Sequence, residues 1–579
     1  MLSRRKALKI GLAAAGTGAL ARRGLAQMAI PQSGLVFPDG YVPGIVANPS
    51  PPATPFAAPL FQMPIAQPVS LSQLNPPPDP AAHQRYTEFL PKKYYLQTVS
   101  EVKWQYHPEG PYAAGSWGYA FDGTLPGPTF DAYYSEPILV RRVNALPPVG
   151  QGNVGFALPS FSIHLHNAHT ASESDGFPGD FVDPGEFWDH HYANFPANND
   201  PREVLNTLWY HDHRLDFTAT NVYAGLTGFY RLFDTLDSGN EQDPNPAAFR
   251  LPSGAYDVPL VLHDVLFDQN GQPAWDFMGA HPAGAGGDFL PNAFYTNHGM
   301  LGDRFTVNRI IQPYFQVKRR KYRFRLLNGG PSRLYALFLL NGSGNAQNSG
   351  KTTPFLQVSN DGNLLPEPVS VESLALGVGD RMDIIIDFSA YQAGDHLYLI
   401  NLLEMRSDGA APSGRLLNQP DFLMRFDIVG GTVDDPSRIP DTLRPLPPID
   451  LTKVRKERLF VFDYDNGLWT INGRLMDPNR IDAAIEQGSS EIWTFRNAGN
   501  SWVHPIHSHF EEFQILSING QTPPPGRGDI ANLGPTDEIR LYISWRDFLG
   551  KYVLHCHNVV HEDHAMMLRW DIVPPGQGD

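Results

Sequence analysis

The sequence predicts an all-β protein that is divided into several β-sandwich domains. At 579 residues the chain is longer than a single hydrophobic core usually becomes, so we expect several domains. Its 53 glycines and 54 prolines favour frequent turns between short strands over long helices. Residues 94–99 alternate as a strand does, residues 138–143 and 322–328 are predicted as further strands, and short strands at this spacing are typical of sandwiches.

The first 26 residues are predicted to be an export signal. Arg4 and Arg5 form a twin-arginine pair, an apolar run of small residues follows, and residues 24–26 offer a small-X-small cleavage site. The apolar run is too short to span a bilayer. We therefore expect export by the twin-arginine machinery and a periplasmic or secreted mature protein without a membrane span.

Residues 27–90 are rich in proline and lack hydrophobic periodicity. This composition favours an extended, polyproline-like arm that runs over the surface of the protein. Binding of a partner by the arm is an alternative, and no chemistry is assigned to it.

Composition argues against some classes of function. The formal net charge of −16 argues against a nucleic-acid partner and mildly favours cationic substrates. The single cysteine, Cys556, cannot form an internal disulfide, so the fold must be stabilised by packing.

The most informative stretch is residues 555–566, because it combines a thiol, imidazoles and a thioether within twelve residues. One Cys, two His and a weak axial Met form the ligand set of a blue-copper site, which transfers single electrons. Cys556, His561 and Met566 offer three of these ligands. The fourth must come from elsewhere in the chain, and His504 is the candidate.

Residues 552–557 are predicted to form a strand, in which neighbouring side chains point to opposite faces. His555 and His557 then share one face, and Cys556 lies on the other. We expect Cys556 to hold one metal ion while its two neighbours face a second metal site. The covalent path through one residue would join the two sites, which suits electron transfer between metals.

Three further His-X-His pairs have the same spacing. They are His164 and His166, His211 and His213, and His507 and His509. A lone pair of this kind is more often exposed or satisfied within the core than bound to a metal. Four pairs supply eight imidazoles, enough for a cluster of three metal ions, and one pair flanks the sole cysteine. The sequence therefore predicts metal binding.

These segments resemble the signature motifs of the multicopper oxidases, most closely the branch of bacterial spore-coat laccase, bilirubin oxidase and phenoxazinone synthase. His-X-His, His-X-His, His-Pro-X-His-X-His and His-Cys-His-X3-His-X4-Met occur in the family's order. The resemblance implies three cupredoxin-like Greek-key β-sandwich domains. It also implies a laccase-like enzyme that couples one-electron oxidation of phenols or aromatic amines to reduction of dioxygen to water.

The resemblance further implies four copper ions as cofactors. Type 1 copper would be held by His504, Cys556, His561 and Met566, and type 2 copper by His164 and His507. The type 3 pair would be held by His166, His211 and His557 on one ion and by His213, His509 and His555 on the other.

The same motifs divide the chain into domains. Residues 90–235 would form domain 1 with the first two motifs, and residues 455–575 would form domain 3 with the last two. Residues 245–430 would form domain 2, which carries no motif and is expected to space the outer domains and to form a wall of the substrate cleft. The histidine pairs would then meet between domains 1 and 3.

Reduction of dioxygen also requires protons, and two acids match positions near the family's cluster. Asp175 and Glu562 are predicted to relay protons as catalytic residues. The alternative is a surface acid, or a carboxylate that only orients a ligand histidine.

Two residues depart from the family's pattern. Asn167 follows the first His-X-His pair, where glycine is usual, and could alter the local turn and the access of solvent or oxygen. Arg214 follows the second pair and would place a cation near the entrance to the cluster.

Three functions are compatible with these motifs. The first is a laccase-like oxidase, with bilirubin-type tetrapyrroles among its donors. The second is a metal-ion oxidase of Fe(II) or Mn(II), for which Glu511, Glu512 and Asp563 are candidate carboxylates, although such acids usually lie on a solvated face. The third is a copper-free structural protein, which is disfavoured because every ligand position is filled. The sequence predicts neither the physiological donor nor the oligomeric state.

Overall fold

The computed structural model describes residues 50–275, 294–296, 298–342, 350–406, 411–465, 467–499 and 501–579. The predicted export signal and the first part of the predicted arm lie outside these residues. Within the described part of the chain, no helix is long and apolar enough to cross a membrane. The all-β prediction is confirmed, because strands dominate and the described α-helices are at most 7 residues long.

The first sandwich consists of two four-stranded sheets, with strand orders β2-β1-β4-β6 and β3-β8-β7-β5. Its strands are β1 (Lys93–Trp104), β2 (Ser116–Phe121), β3 (Gly127–Tyr133), β4 (Ile138–Asn144), β5 (Ile163–His166), β6 (Phe187–Tyr192), β7 (Thr207–Asp212) and β8 (Thr227–Phe233). Buried aromatic residues from both sheets, including Phe121, Phe130 and Tyr210, share one core. Short helices at Ser172–Asp175 and Thr218–Ala224 lie in the connections.

The middle sandwich has a seven-stranded sheet, β13-β12-β9-β15-β21-β18-β19, and a six-stranded sheet, β14-β23-β22-β16-β17 with β20 on β16. Its strands are β9 (Asp257–Val265), β10 (Phe294–Thr296), β11 (Gly299–Leu301), β12 (Arg304–Val307), β13 (Ile310–Ile311), β14 (Tyr314–Arg319), β15 (Lys321–Asn328), β16 (Tyr335–Asn341), β17 (Thr352–Thr353), β18 (Phe355–Asn360), β19 (Asn363–Val371), β20 (Leu374–Leu376), β21 (Arg381–Asp387), β22 (His396–Met405) and β23 (Pro412–Thr432). Strands β10 and β11 form a separate hairpin.

The third sandwich pairs a six-stranded sheet, β25-β24-β27-β32-β29-β30, with a five-stranded sheet, β26-β34-β33-β28-β31. Its strands are β24 (Val454–Asp465), β25 (Leu468–Ile471), β26 (Ala483–Glu486), β27 (Ser490–Asn497), β28 (His504–Ser508), β29 (Phe513–Ile518), β30 (Arg527–Gly528), β31 (Ile530–Leu533), β32 (Glu538–Ser544), β33 (Gly550–Cys556) and β34 (Met567–Val573). Trp493, Trp545 and Trp570 are buried between the sheets. The helix Val559–Asp563 follows β33 directly.

Single 3₁₀ turns complete the regular structure. They are Leu71–Gln73, Pro80–Ala82, Gly110–Ala114, Ala197–Asn199, Pro201–Glu203, Gly254–Tyr256 and Leu451–Lys453.

The described part of the proline-rich segment contacts all three sandwiches in turn. The backbone N–H of Leu60 donates to Tyr314 of the middle sandwich at 2.7 Å, and that of Ala66 donates to Thr129 of the first at 2.8 Å. Further on, Gln84 Nε2 donates to the carbonyl of Leu549 in the third sandwich at 2.9 Å. This segment therefore lies across the junctions between the sandwiches.

Candidate metal centres

The register of β28 with β33 sorts the C-terminal ligand candidates onto two faces of one sheet. Ile506 pairs with Cys556, and His507 pairs with His555. Because paired residues on adjacent strands point to the same face, Cys556 shares a face with His504, two residues from Ile506. His507 and His555 point to the opposite face, as the alternation in the sequence predicts.

The first group of donor atoms surrounds the cysteine. Cys556 Sγ lies 3.4 Å from His504 Nδ1 and 3.6 Å from His561 Nδ1, and the two Nδ1 atoms are 3.1 Å apart. His561 Nε2 donates to the carbonyl of His298 at 2.5 Å, so its Nδ1 carries the lone pair. Met566 is fully buried, and its carbonyl accepts from the Cys556 N–H at 3.1 Å. A thiol and two imidazole nitrogens at these distances suit a soft metal ion.

Burial governs the protonation of this group. It lowers the pKa of His504 to about 3 and raises the pKa of the Cys556 thiol well above its usual range. Burial also lowers the pKa of His561 well below its usual range. Both histidines are therefore neutral at neutral pH, and a bound cation would favour the thiolate of Cys556.

Aromatic rings cover this group on one side. Trp469 stacks on His561 with ring centroids 3.7 Å apart. Tyr464 and Trp502 lie 4.3 Å and 5.2 Å from Trp469, and the His298 ring lies 5.1 Å from Tyr464. These four residues are called the aromatic cluster below. The sequence analysis did not predict it, because its members come from separate segments without a recognisable motif.

The eight histidines of the four His-X-His pairs converge between the first and third sandwiches. Strands β5 and β7 pair His164 with His211, just as β28 and β33 pair His507 with His555. In each of three groups the donor atoms lie within 4.8 Å of one another. The groups are His164, His166 and His507; His166, His211 and His557; and His213, His509 and His555. The structure thus brings together the histidines that the motifs predicted to meet.

The group of His213, His509 and His555 is shaped as a trigonal site. The Nε2 atoms of these histidines are separated by 3.0, 3.2 and 3.3 Å. The Nδ1 atoms of His213 and His555 lie 3.1 Å and 3.0 Å from Glu562 carboxylate oxygens, which leaves the Nε2 atoms to face one another. A metal ion about 2.0–2.1 Å from each nitrogen would separate ligands in tetrahedral geometry by about 3.3–3.4 Å, so the spacing fits.

The group of His166, His211 and His557 contains buried nitrogens without partners. His166 Nε2 pairs with Asp529 Oδ1 at 2.7 Å, and His211 Nδ1 donates to the Asp212 carbonyl at 2.8 Å. Their other ring nitrogens, and both of those of His557, make no hydrogen bond among the described residues. Buried polar atoms are rarely left unpaired, so these nitrogens fit a metal ion.

His164 and His507 form a two-nitrogen group beside the other two. Their Nε2 atoms are 3.4 Å apart. Their Nδ1 atoms are turned away and lie against the carbonyls of Asp175 at 2.5 Å and Asp529 at 3.0 Å. The lone pairs of both Nε2 atoms therefore face each other across the group.

Comparisons with known proteins agree with this geometry. Residues 104–236 and 449–576 match family models described as multicopper oxidase. Bilirubin oxidase of Albifimbria verrucaria is 32% identical over 463 residues, which cover 77% of this chain and 71% of that protein. Laccase of Bacillus subtilis strain 168 is 30% identical, covering 84% of this chain and 95% of that protein.

The chain belongs to the multicopper oxidase family. The fold is also similar to the crystal structure of a laccase from Pediococcus acidilactici, with a TM-score of 0.68, 22% identity and coverage of 94% of this chain and 100% of that one. As a laccase-like multicopper oxidase, the protein is a copper-dependent oxidoreductase that uses dioxygen as electron acceptor.

Both predicted catalytic acids of the oxidase are buried against candidate ligands. Glu562 spans His213 and His555, and Asp175 Oδ2 lies 2.7 Å from His509 Nδ1. The alternative of a surface acid is therefore wrong. Although burial alone would raise it, the neighbouring imidazoles hold the pKa of Glu562 well below its usual range, whereas burial raises the pKa of Asp175.

A third buried carboxylate, Asp529, was missed by the sequence analysis. It contacts His166 through Oδ1 and His507 through its carbonyl, and Arg381 of the middle sandwich pairs with it at 2.7 Å. In the sequence, Asp529 is a single acid directly before the strand β31. A single acid in this position also occurs in ordinary turns, so the pattern does not indicate a contact with metal ligands.

The two departures from the family's pattern have different surroundings. Asn167 is buried with a left-handed φ of 69°, and its Nδ2 donates to Glu512 Oε1 at 2.5 Å. Arg214 packs its guanidinium 3.6 Å from the Phe181 ring, and its Nη1 donates to the Leu215 carbonyl at 2.7 Å. Asn167 thus ties the first motif to the third sandwich.

The expectation that Glu511 and Glu512 lie on a solvated face is wrong. Both are buried, Glu511 pairs with Arg546 at 2.8 Å, and Glu512 pairs with Arg527 at 2.9 Å. The local sequence pattern did not indicate burial, because the arginines that neutralise these acids lie 15 or more positions away along the chain. Asp563 is also buried, where its Oδ2 accepts from the Ala219 N–H at 3.0 Å.

Proposed function

We propose that the protein is a laccase-like oxidase that holds four copper ions between and within its first and third sandwiches. Type 1 copper takes His504, Cys556, His561 and Met566. Type 2 copper takes His164 and His507. The type 3 pair takes His166, His211 and His557 on one ion and His213, His509 and His555 on the other. The observation that carries this assignment is the position of Cys556 between His555 and His557, whose rings belong to two different histidine groups.

Copper in these positions would supply one-electron oxidation of a donor at type 1 and four-electron reduction of dioxygen to water at the cluster. The chain's own contribution is the path between them. Cys556 is joined by single peptide units to His555 and His557, and all three side chains are buried. Electrons therefore cross a short covalent path from which water is excluded.

Glu562 and Asp175 are assigned to the supply of protons to the cluster. Each carboxyl group lies within 3.1 Å of a candidate ligand imidazole, inside the buried site where dioxygen would be reduced. A carboxyl group in this position can hold and transfer a proton, and it also orients the imidazole ring. Orientation alone is the alternative role.

The aromatic cluster supports phenols or aromatic amines as donors. Trp469 is buried against His561, while Tyr464, Trp502 and His298 are partly exposed and Leu468 is exposed beside them. Flat rings stack favourably on such side chains, by about 0.5–1.5 kcal/mol per pair. A donor that stacks here lies close to the proposed type 1 site.

Two other donor classes are alternatives. A metal-ion oxidase needs accessible carboxylates near type 1 copper. Of the candidates, Glu511 and Glu512 are neutralised by arginines, and Asp563 is buried with its Oδ2 on the Ala219 N–H. A bilirubin-type donor is favoured by the similarity to bilirubin oxidase, and a tetrapyrrole also offers flat rings to the aromatic cluster.

We further propose export by the twin-arginine machinery into the periplasm or the medium, on the basis of residues 1–26. The domain division proposed from the motifs is 90–235, 245–430 and 455–575, preceded by an arm at 27–90 that braces the three domains. Cleavage of the signal is tested by N-terminal sequencing of protein recovered from the periplasm and the medium.

Oxygen uptake tests the proposed activity. Copper-loaded protein is supplied with a phenol, then with Fe(II) and with Mn(II), beside a Cys556→Ser variant. Uptake with the phenol that is lost in Cys556→Ser supports the laccase-like function. Faster uptake with a metal ion would favour the metal-ion oxidase, and a colourless protein that binds no copper would overturn the proposal.

A further inference from the structure

Arg381 of the middle sandwich lies at the point where all three sandwiches meet, beside the histidine groups. Its Nε donates to the Thr207 carbonyl on β7, the strand that also carries His211, at 3.3 Å. Its Nη1 donates to the Gly379 carbonyl at 3.0 Å. The two Nη atoms bind the Asp529 carboxylate of the third sandwich at 2.9 Å and 2.7 Å. One guanidinium therefore connects all three sandwiches.

Asp529 carries this connection to the candidate ligands. Its Oδ1 accepts from His166 Nε2 at 2.7 Å, and its carbonyl accepts from His507 Nδ1 at 3.0 Å. Each contact selects which ring nitrogen keeps its lone pair: Nδ1 in His166 and Nε2 in His507. His507 Nε2 lies 3.4 Å from His164 Nε2 in the group assigned to type 2 copper, and His166, whose Nδ1 makes no hydrogen bond among the described residues, belongs to the type 3 group with His211 and His557.

The surroundings of the pair leave little freedom. Arg381 and Asp529 are both fully buried. Asp361 Oδ2 accepts from the backbone N–H of Asp529 at 3.0 Å and so fixes its position. The backbone of the middle sandwich also packs against the cluster, because a Cβ added at Gly379 would lie 3.1 Å from the His557 ring.

We infer that Arg381 is a positioning residue for the copper cluster, acting through Asp529 to set the ring orientation and tautomer of His166 and His507. This inference rests on the proposed function, and it gives the middle sandwich a role in the chemistry beyond spacing its neighbours. Only a guanidinium can serve all these acceptors, since its planar fork binds a carboxylate with two parallel bonds while its remaining N–H groups reach two carbonyls. The ammonium group of lysine is a point charge that cannot.

The inference predicts a selective defect. The group of His504, Cys556 and His561 has no contact with Arg381 or Asp529 among the described residues. Loss of the pair should therefore disturb type 2 copper and the type 3 ion near His166, while type 1 copper stays as it is. A general loss of protein stability would instead weaken copper binding at type 1 as well as at type 2 and type 3.

The test compares Arg381→Lys with Arg320→Lys in the full-length, copper-loaded protein. Arg320 serves as the control, because it is also buried in the middle sandwich and pairs with Glu241 at 2.6 Å and Asp435 at 3.1 Å, neither of which is a candidate ligand. The measurements are the blue type 1 absorption, the type 2 electron paramagnetic resonance spectrum, and the loss of each signal to a chelator.

In Arg381→Lys we expect type 2 copper to be lost to the chelator about 10–100-fold more readily, with a changed type 2 spectrum and unchanged type 1 absorption. Arg320→Lys should keep both signals. Asp529→Asn, which preserves the shape of the side chain, should repeat the defect and serves if Arg381→Lys does not fold.

Wild-type spectra in Arg381→Lys and Asp529→Asn would overturn the inference, as would equal loss of copper in Arg381→Lys and Arg320→Lys. A wild-type protein that binds no copper would instead overturn the proposed function. Copper binding by the wild type is therefore measured before any variant is compared.

Discussion

Glu562 lies between two candidate ligand histidines, so Glu562→Gln measures what its charge contributes to the cluster. Oε1 lies 3.1 Å from His213 Nδ1 and Oε2 lies 3.0 Å from His555 Nδ1, and the side chain is 1% exposed. Glutamine has nearly the same shape but offers one oxygen in place of two. Its NH₂ group must then face one of the two imidazole N–H groups, which is a repulsive contact.

The loss can be estimated from these two contacts. Each interaction of an ionised carboxylate with an N–H group contributes about 1.5–3 kcal/mol, and a neutral replacement contributes about 0.5–1.5 kcal/mol. Losing two of the first kind and keeping one of the second costs about 3 kcal/mol. At 1.4 kcal/mol per factor of ten, this is about a 100-fold weaker hold on the copper ion bound by His213, His509 and His555. Substitutions next to metal ligands commonly cost about 10–100-fold.

The assay is competition for copper between the protein and a chelator, together with turnover of a phenol under oxygen. Glu491→Gln is the matched control, since Glu491 is buried in the same sandwich and pairs with Arg458 at 2.6 Å and with Trp493 Nε1 at 2.8 Å. The control should lower the free energy of unfolding and leave copper retention alone. If Glu562→Gln holds copper within about threefold of wild type and turns over normally, the carboxylate does not position the histidines and the reasoning fails.

Three further predictions concern stability. Asn167→Gly removes the hydrogen bond to Glu512 and relieves a left-handed backbone. The first effect should dominate, so the free energy of unfolding should fall by about 1 kcal/mol in a denaturant titration, and an unchanged or higher value would contradict this prediction. Burial alone would raise the pKa of Asp257, but the neighbouring Arg325 guanidinium lowers it to about 2, below its value in the unfolded chain. This contribution of about 2 kcal/mol is therefore complete above about pH 4 and is lost as the pH falls toward 2. In Asp257→Asn, denaturant titrations should show a protein less stable by about 3–5 kcal/mol at neutral pH, with a shallower acid dependence; an equally steep one would contradict the assignment. Removal of copper should lower the melting temperature in calorimetry, because free copper at about 1,000 times its Kd stabilises the folded state by about 4 kcal/mol, and an identical melting temperature would argue against the sites.

The buried arginines explain why some sequence-based expectations about charge failed. Glu511 and Glu512 are adjacent acids, a pattern that usually indicates solvent exposure. Each is instead buried with an arginine from another part of the third sandwich. Such pairing depends on which strands become neighbours, and a local pattern of charges carries no information about that.

The sequence alone determined the strands and the candidate ligands, because both depend on local spacing. A period of two residues places His555 and His557 on one face and Cys556 on the other, and this holds wherever β33 lies in the fold. The all-β class followed in the same way from short alternating segments.

Only the tertiary structure decided which groups surround those ligands. Arg381 and Asp529 are 148 positions apart and belong to different sandwiches, and their contact exists only because the middle sandwich packs beside the histidine groups. The aromatic cluster likewise collects rings from separate segments around His561. Ligands can be recognised locally because a metal ion requires particular donor atoms, whereas the residues that orient them need only be close in space.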